Sequence, residues 1–217
     1  DTIYPQNYAT YDYELHLGKI INNFRNKFQE AKIKSLEKIL SEKDIVIDVG
    51  SGGGDFLKLF KSKAKKQLRY IAVDFSDTAI KKIKDNKLEF LKKRFEDFEK
   101  ENDNLKNIGA ISMFQIIEHI ENPKMCLQKA HDLLKDEGYL IIETPNINSW
   151  DYKIFKNKYW AGWHAPRHWN IMKKNFLEDL IKNNGFKIIS SKCTANPYAW
   201  IHSLHYLIKF KFKMKKI

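Results

Sequence analysis

Apolar positions along the chain fall into two rhythms that alternate, short β-type runs and three-to-four-residue helical spacings, the order of an α/β fold. Ile45, Val46, Ile47 and Val49 make a nearly uninterrupted apolar run, which predicts a parallel strand buried on both faces. Further strands are expected over Tyr70–Asp74, Leu88–Leu91, Ile108–Ile117, Tyr139–Thr144 and Phe186–Ser190. Between them, Phe56, Leu57, Leu59 and Phe60 read as a helix, as do Ile80 and Ile83 after the capping pair Ser76 and Asp77. Pro123 suits the start of a helix carrying Met125, Leu127, Ala130, Leu133 and Leu134, with Gly138 expected to end it. Another helix is expected over 173–184, closed by Gly185. Ahead of the first strand, Ile20, Ile21, Phe24, Phe28, Ile33, Leu36 and Ile39 predict one long helix or two shorter ones covering a sheet edge. Asn196–Trp200 reads as a turn. Beyond it, Ile208, Phe210, Phe212 and Met214 alternate with lysines, as in an edge strand or in a basic amphipathic segment lying on a membrane.

The first strand stops abruptly in Gly50-Ser-Gly-Gly-Gly54. Glycines at 50, 52 and 54 let the backbone turn tightly and approach a ligand with no Cβ in the way. A dinucleotide fingerprint, G-x-G-x-x-G, would need glycine at 55, where Asp55 stands. Asp48, inside the strand end, suits a cationic group and would repel a pyrophosphate. The methionine ammonium of S-adenosylmethionine is such a group. Asp74, closing the second strand, can accept both ribose hydroxyls.

This D-x-G-x-G-x-G pattern with its strand-terminal acid resembles the class I S-adenosylmethionine-dependent methyltransferases. The resemblance implies a Rossmann-like three-layer αβα sandwich with a mostly parallel sheet of seven strands, or a truncated six. Residues 1–217 then form one domain, with a helical cap over 1–40 and a lid inserted at 145–170. Asp48, Gly50, Ser51, Gly52, Asp74, Phe75 and Gln115 are the expected cofactor contacts, with Glu118 and His119 also expected to face the cofactor. Asp97 matches the family position that meets the adenine amine. The stretch Phe-Gln-Ile-Ile-Glu-His-Ile-Glu-Asn-Pro123 resembles small-molecule methyltransferases such as the quinone-biosynthesis O-methyltransferases. It lacks the N-P-P-Y or D-P-P-Y tetrad of nucleobase and glutamine methylases, and neither cysteine lies in a proline-containing catalytic turn, so nucleic acid is not the expected partner.

The long connection from Pro145 to Trp169 carries Trp150, Trp160, Trp163 and Trp169, four of the chain's five tryptophans, and a connection of this length is usually functional. His164, Arg167 and His168 crowd within five residues. Either histidine, or His119, could act as base, while the planar fork of Arg167 could hold a phosphate or carboxylate. Tyr11, Trp160 and Trp163 join Arg167 as expected substrate contacts. Pro166 between His164 and His168 spoils a helical metal-binding face, and no metal site is expected. The block Trp-Ala-Gly-Trp-His-Ala-Pro-Arg-His-Trp resembles bacterial methyltransferases encoded with capsule or surface-polysaccharide genes, which implies a sugar or nucleotide-linked acceptor. A quinone or lipid O-methyltransferase is the alternative, and an RNA methyltransferase a more distant one.

The net charge of +12 admits anionic partners, yet the lysines are scattered through every helix and read as background composition. The expected partner is a small anionic or sugar-like molecule. The basic C-terminus offers peripheral membrane contact, and the oligomeric state stays open. Cys126 and Cys193 make no disulfide framework, and no apolar run approaches a membrane span, so a cytoplasmic protein is expected. Asp1 in place of methionine suggests a trimmed stretch of a longer chain.

Overall fold

The computed structural model describes residues 19–98, 105–156, 158–164 and 166–211. Tyr11 and residues 1–18 of the expected N-terminal cap lie outside them. Contacts group the chain into two compact units, one holding the described residues up to Ile116 with Lys129–Glu143, the other Ile117–Gln128 with Thr144 onward.

The first unit is built on five parallel strands: β1 (Ile45–Val49), β2 (Arg69–Asp74), β3 (Glu89–Lys92), β4 (Ile108–Phe114) and β5 (Leu134–Glu143). Their order is β3-β2-β1-β4-β5, a Rossmann-like sheet whose direction of winding reverses between β1 and β4. Every residue of β1 is buried, as its apolar run predicts, and each aliphatic side chain removed from water contributes about 1.5–3 kcal/mol. Asp48 is the polar exception. Register sets Ser112 of β4 directly beside it, so the one acid in the central strand has a hydroxyl as its neighbour.

Helices α1 (Lys19–Ile39), α2 (Asp55–Lys63) and α3 (Asp77–Asp85) flank these strands. The long N-terminal helix is continuous, and it buries Ile33 and Leu36 against Val46, Phe56, Leu57 and Phe60. Phe56 and Phe60 meet edge to face, with Phe56 also against Phe114 at 4.8 Å. Asp44, just before β1, is 3% exposed and is held by Lys135 Nζ, 2.7 Å from both carboxylate oxygens. Helix α4 (Pro123–Leu133) begins at its proline but ends five residues before Gly138, and β5 starts at once with Leu134. The pairing register shifts between Ile108 and Ala110, and Glu137 adopts φ 58°. The residues expected as the helix's last turn therefore serve as an irregular first half of the strand. Cys126 is buried in this helix, a core residue.

The second unit contains α5 (Trp150–Phe155), α6 (Lys174–Asn183) and α7 (Pro197–Lys211). One strand expectation fails in it, and an open alternative is decided. Residues 186–190 form no strand, and Ile189 is 75% exposed, so no neighbouring strand covers it. The segment read as a turn, and then as either an edge strand or a basic amphipathic segment, is helix α7 as far as Lys211, which excludes the strand. Asn196 takes the cap position, its Oδ1 accepting from Ala199 N at 3.4 Å and its carbonyl from Trp200 N at 3.2 Å. Pro197 supplies a preset first helical φ. Ile201, Leu204 and Ile208 follow at helical spacing, and this period overrides the alternation read in the final residues, of which 212–217 lie outside the described set. Among the described residues no helix is long and apolar enough to cross a membrane.

Candidate functional site

The first unit carries a ligand cradle at the carboxyl end of β1. Gly50, Gly52 and Gly54 all take positive φ, at 62°, 54° and 78°. At Gly50 the requirement is double: a Cβ would lie 1.9 Å from Ile116 Cδ1, and the conformation itself disfavours any L side chain. The turn is pinned to β2, with Gly50 N donating to the Val73 carbonyl at 2.8 Å and Ser51 N to the same oxygen at 3.2 Å. Asp74 completes the clamp. Its Oδ2 accepts from Gly52 N at 3.0 Å and its Oδ1 from Ser76 N at 2.9 Å. Two carboxylate oxygens offer about four lone-pair directions, so Asp74 keeps capacity for a ligand hydroxyl while it holds the loop. Burial raises its pKa, against the backbone N–H groups that lower it.

Asp48 is 4% exposed, and its Oδ1 accepts from Ser112 Oγ at 2.6 Å. Burial pushes its pKa up to about 7, opposed by the Ser112 hydrogen bond and reinforced by the charge of Asp74. A carboxyl held that high has room for a cation. Ser51 Oγ, in the same turn, is buried with no hydrogen-bond partner among the described residues. An acid short of a cation, an orphaned hydroxyl and a turn free of Cβ atoms fit an amino-acid nucleoside with an ammonium group.

The remaining cofactor expectations occupy the rims of this unit. Phe75 is 51% exposed, with the Arg94 guanidinium 5.7 Å from its ring centre. Asp97 is exposed in a short 3₁₀ turn, Phe95–Asp97, rather than at a strand end. Gln115 is exposed just past β4 with φ 58°, its N–H donating to the Glu143 carbonyl at 2.7 Å. Its left-handed turn ends the strand three residues earlier than the apolar run suggested.

The second unit holds a separate constellation. The 3₁₀ turn Ile117–His119 is stitched to the 166–170 segment: Trp169 N and Asn170 N donate to the Glu118 carbonyl at 2.8 and 3.1 Å, and Asn170 Nδ2 to the Ile120 carbonyl at 2.5 Å. This brings His119, His164 and His168 together, with His119 and His168 rings 4.6 Å apart and His164 and His168 5.0 Å. Backbone carbonyls accept only, which fixes the tautomers. His168 Nδ1–H donates to the Gly162 carbonyl at 2.7 Å, and His119 Nδ1–H to the Arg167 carbonyl at 3.0 Å. His168 Nε2 then carries a lone pair, to which His164 Nδ1–H donates at 3.4 Å; His164 Nε2 in turn accepts from Arg167 Nη1 at 3.1 Å. Burial and the neighbouring cations lower all three imidazole pKa values, to about 4 for His119 and His164.

Glu118, fully buried, was a neighbour that sequence reasoning expected near the cofactor but assigned no chemistry. Its Oε2 accepts from Thr144 Oγ1 at 2.9 Å, Oε1 has no hydrogen-bond partner among the described residues, and burial pushes its pKa up to about 7. The signal available in the sequence was an acid flanked by isoleucines in Ile116-Ile-Glu-His-Ile120. Trp160 and Trp163 are placed by the same unit. Trp160 is 3% exposed, its Nε1–H on Asp151 Oδ2 at 2.7 Å, and it packs edge-on against Trp163 and Tyr152. Trp163 is 38% exposed and donates to the Lys156 carbonyl.

The parallel sheet with its acid-tipped β1 and glycine turn defines an S-adenosylmethionine-dependent methyltransferase of the class I fold. Residues 21–191 match a family model described as a methyltransferase domain, and the chain belongs to that family. It is 27% identical over 193 residues to a carboxy-S-adenosyl-L-methionine synthase of Nautilia profundicola, covering 77% of this chain and 80% of that protein. It is also 28% identical over 180 residues to a ubiquinone biosynthesis O-methyltransferase of Rickettsia bellii, covering 77% of this chain and 71% of the relative. In fold it is similar to a crystal structure of an S-adenosylmethionine-dependent methyltransferase from Thermotoga maritima, with TM-score 0.59, 20% identity, and coverage of 78% and 74% of the two chains.

Proposed function

We propose that this methyltransferase acts on a small hydroxyl-bearing acceptor that is anionic or sugar-like, such as a sugar or nucleotide-linked precursor of a bacterial capsule or surface polysaccharide. The observation that carries the reading is the polar centre of the second unit, three imidazoles and a guanidinium set among tryptophans. An apolar quinone would need little of this. When bound, the cofactor supplies a methyl carbon already activated by its sulfonium. Asp48 and Asp74 would hold its ammonium and ribose hydroxyls, and Asp97 its adenine amine. An acceptor hydroxyl taking that methyl group would give up its proton to an imidazole of this chain. His168, His164 and His119 are proposed for that proton, and neutral imidazoles at pH 7 are in the form that can take it. Arg167 would orient a phosphate or carboxylate of the acceptor.

The test is a transfer assay with methyl-labelled cofactor and a panel of sugars, nucleotide sugars, hydroxylated quinone precursors and RNA. Label in a sugar or nucleotide sugar supports the reading, and replacing His168 by Gln should then lower kcat by about 10²–10⁴ if it is the base. Label in the quinone alone would favour the second reading, which the Rickettsia bellii relative supports. Label in RNA, weakening steeply with salt, would overturn both.

A further inference from the structure

We propose that Glu118, His119 and His168 form a binding site for one divalent transition-metal ion of the zinc type. One ligand atom from each residue lies within 4.8 Å of the other two, and His168 Nε2 stands 4.0 Å from Glu118 Oε1. Any three atoms so spaced have a common point no more than about 2.8 Å from each, while zinc takes nitrogen and oxygen ligands at about 2.0–2.2 Å. The contraction needed is therefore under about 1 Å per ligand, within the reach of side-chain rotation.

The surroundings are those of ligands rather than of an incidental cluster. Metal-binding histidines donate their second ring N–H to a carbonyl or carboxylate, which fixes the tautomer and leaves the other nitrogen basic. His119 does this on the Arg167 carbonyl and His168 on the Gly162 carbonyl. Glu118 is oriented in the same way by Thr144 on Oε2, so that Oε1 is left buried and, among the described residues, without a hydrogen-bond partner. A buried carboxylate oxygen with no donor is costly, and a bound cation removes the cost. Among the described residues, His168 Nε2 has the long 3.4 Å hydrogen bond from His164 to give up. Two imidazoles and a carboxylate favour zinc or a similar borderline ion over magnesium or calcium, which prefer all-oxygen shells. The sequence expectation of no metal considered the pair His164 and His168; the structure assembles a different trio, with its acid drawn from 49 residues before His164's neighbour Arg167.

A bound ion takes the Nε2 lone pairs of His119 and His168, so with metal present His164 is the imidazole left for the acceptor proton; the site does not depend on what the acceptor is, and its test needs neither cofactor nor acceptor. The full chain, freed of metal by chelation and dialysis, is titrated with Zn²⁺ alone against a chromophoric competitor, and with Co²⁺ as a spectroscopic probe. One equivalent should bind with Kd below about 1 μM. Glu118→Gln and His168→Ala should each weaken binding by at least about 100-fold, while Thr144→Val, which keeps all three ligands, should weaken it about 10- to 100-fold. His205→Ala and Cys193→Ser should bind as the parent does. Circular dichroism checks that each variant is folded, and if removing a ligand unfolds the chain, Thr144→Val decides alone. Absence of stoichiometric binding at about 100 μM metal, or a folded Glu118→Gln or Thr144→Val variant that binds like the parent, overturns the proposal.

Discussion

Replacing Asp48 by Asn should make the ligand-free protein more stable while weakening its hold on the cofactor. The side chain is buried, and Asn keeps an oxygen to accept from Ser112 Oγ. The native carboxyl has its pKa raised to about 7 from an unfolded value of 3.8. Between these values the native state binds the proton that the unfolded chain has lost, so stability conferred on the parent falls as pH rises through that window and levels off above it. At about 1.36 kcal/mol per pKa unit, the deficit is about 2 kcal/mol at pH 5 and about 4 kcal/mol by pH 8. Asn removes it. Urea unfolding at pH 5, 6, 7 and 8, with the cofactor absent, should show the variant gaining on the parent across the series, and the difference should approach its limit above pH 7. Calorimetry with S-adenosylmethionine should show the opposite order of binding, and only the parent should release a proton on binding near pH 6. A variant with no advantage at pH 8, or with a difference independent of pH, would refute both the buried-acid reasoning and the role given to Asp48.

Two further outcomes are expected. Gly50→Ala places a Cβ 1.9 Å from Ile116 Cδ1 on a backbone with φ 62°, so it should destabilise the protein by about 2–4 kcal/mol and abolish measurable cofactor binding, read by thermal shift and calorimetry. Because burial lowers the pKa values of His119, His164 and His168 below 6.5, the base form persists at pH 6.5 and is lost only as pH falls further. The acid limb of kcat/KM should therefore lie below pH 6.5; a limb centred at 7 or above would exclude all three as the base.

The cradle was legible because its chemistry is local: glycines at alternate positions after an apolar run, and an acid inside each of two strand ends. Ser112, which tunes Asp48, was not, since a lone serine in a strand acquires meaning only once register sets it beside the acid. The same holds for Thr144 and Glu118, 26 residues apart in the chain and joined by one hydrogen bond. Helix α7 was left open between an edge strand and an amphipathic segment because the alternating tail masked Asn196-Pro197, a helix start signal. The end of α4 was misplaced for a related reason: Gly138 looked like a helix stop, whereas it lies within an irregular stretch of β5 whose register only the pairing with β4 reveals. The crowding of His164, Arg167 and His168 could be seen directly; that the Ile117–His119 turn joins them could not, because it depends on backbone bonds to Glu118.

Asp74 grips Gly52 and Ser76 through hydrogen bonds made entirely within the protein. The nucleoside thus meets a mould already set, and little chain entropy remains to be lost on its arrival. Differences in affinity among variants of this loop should consequently appear as shorter residence of the bound molecule rather than slower capture.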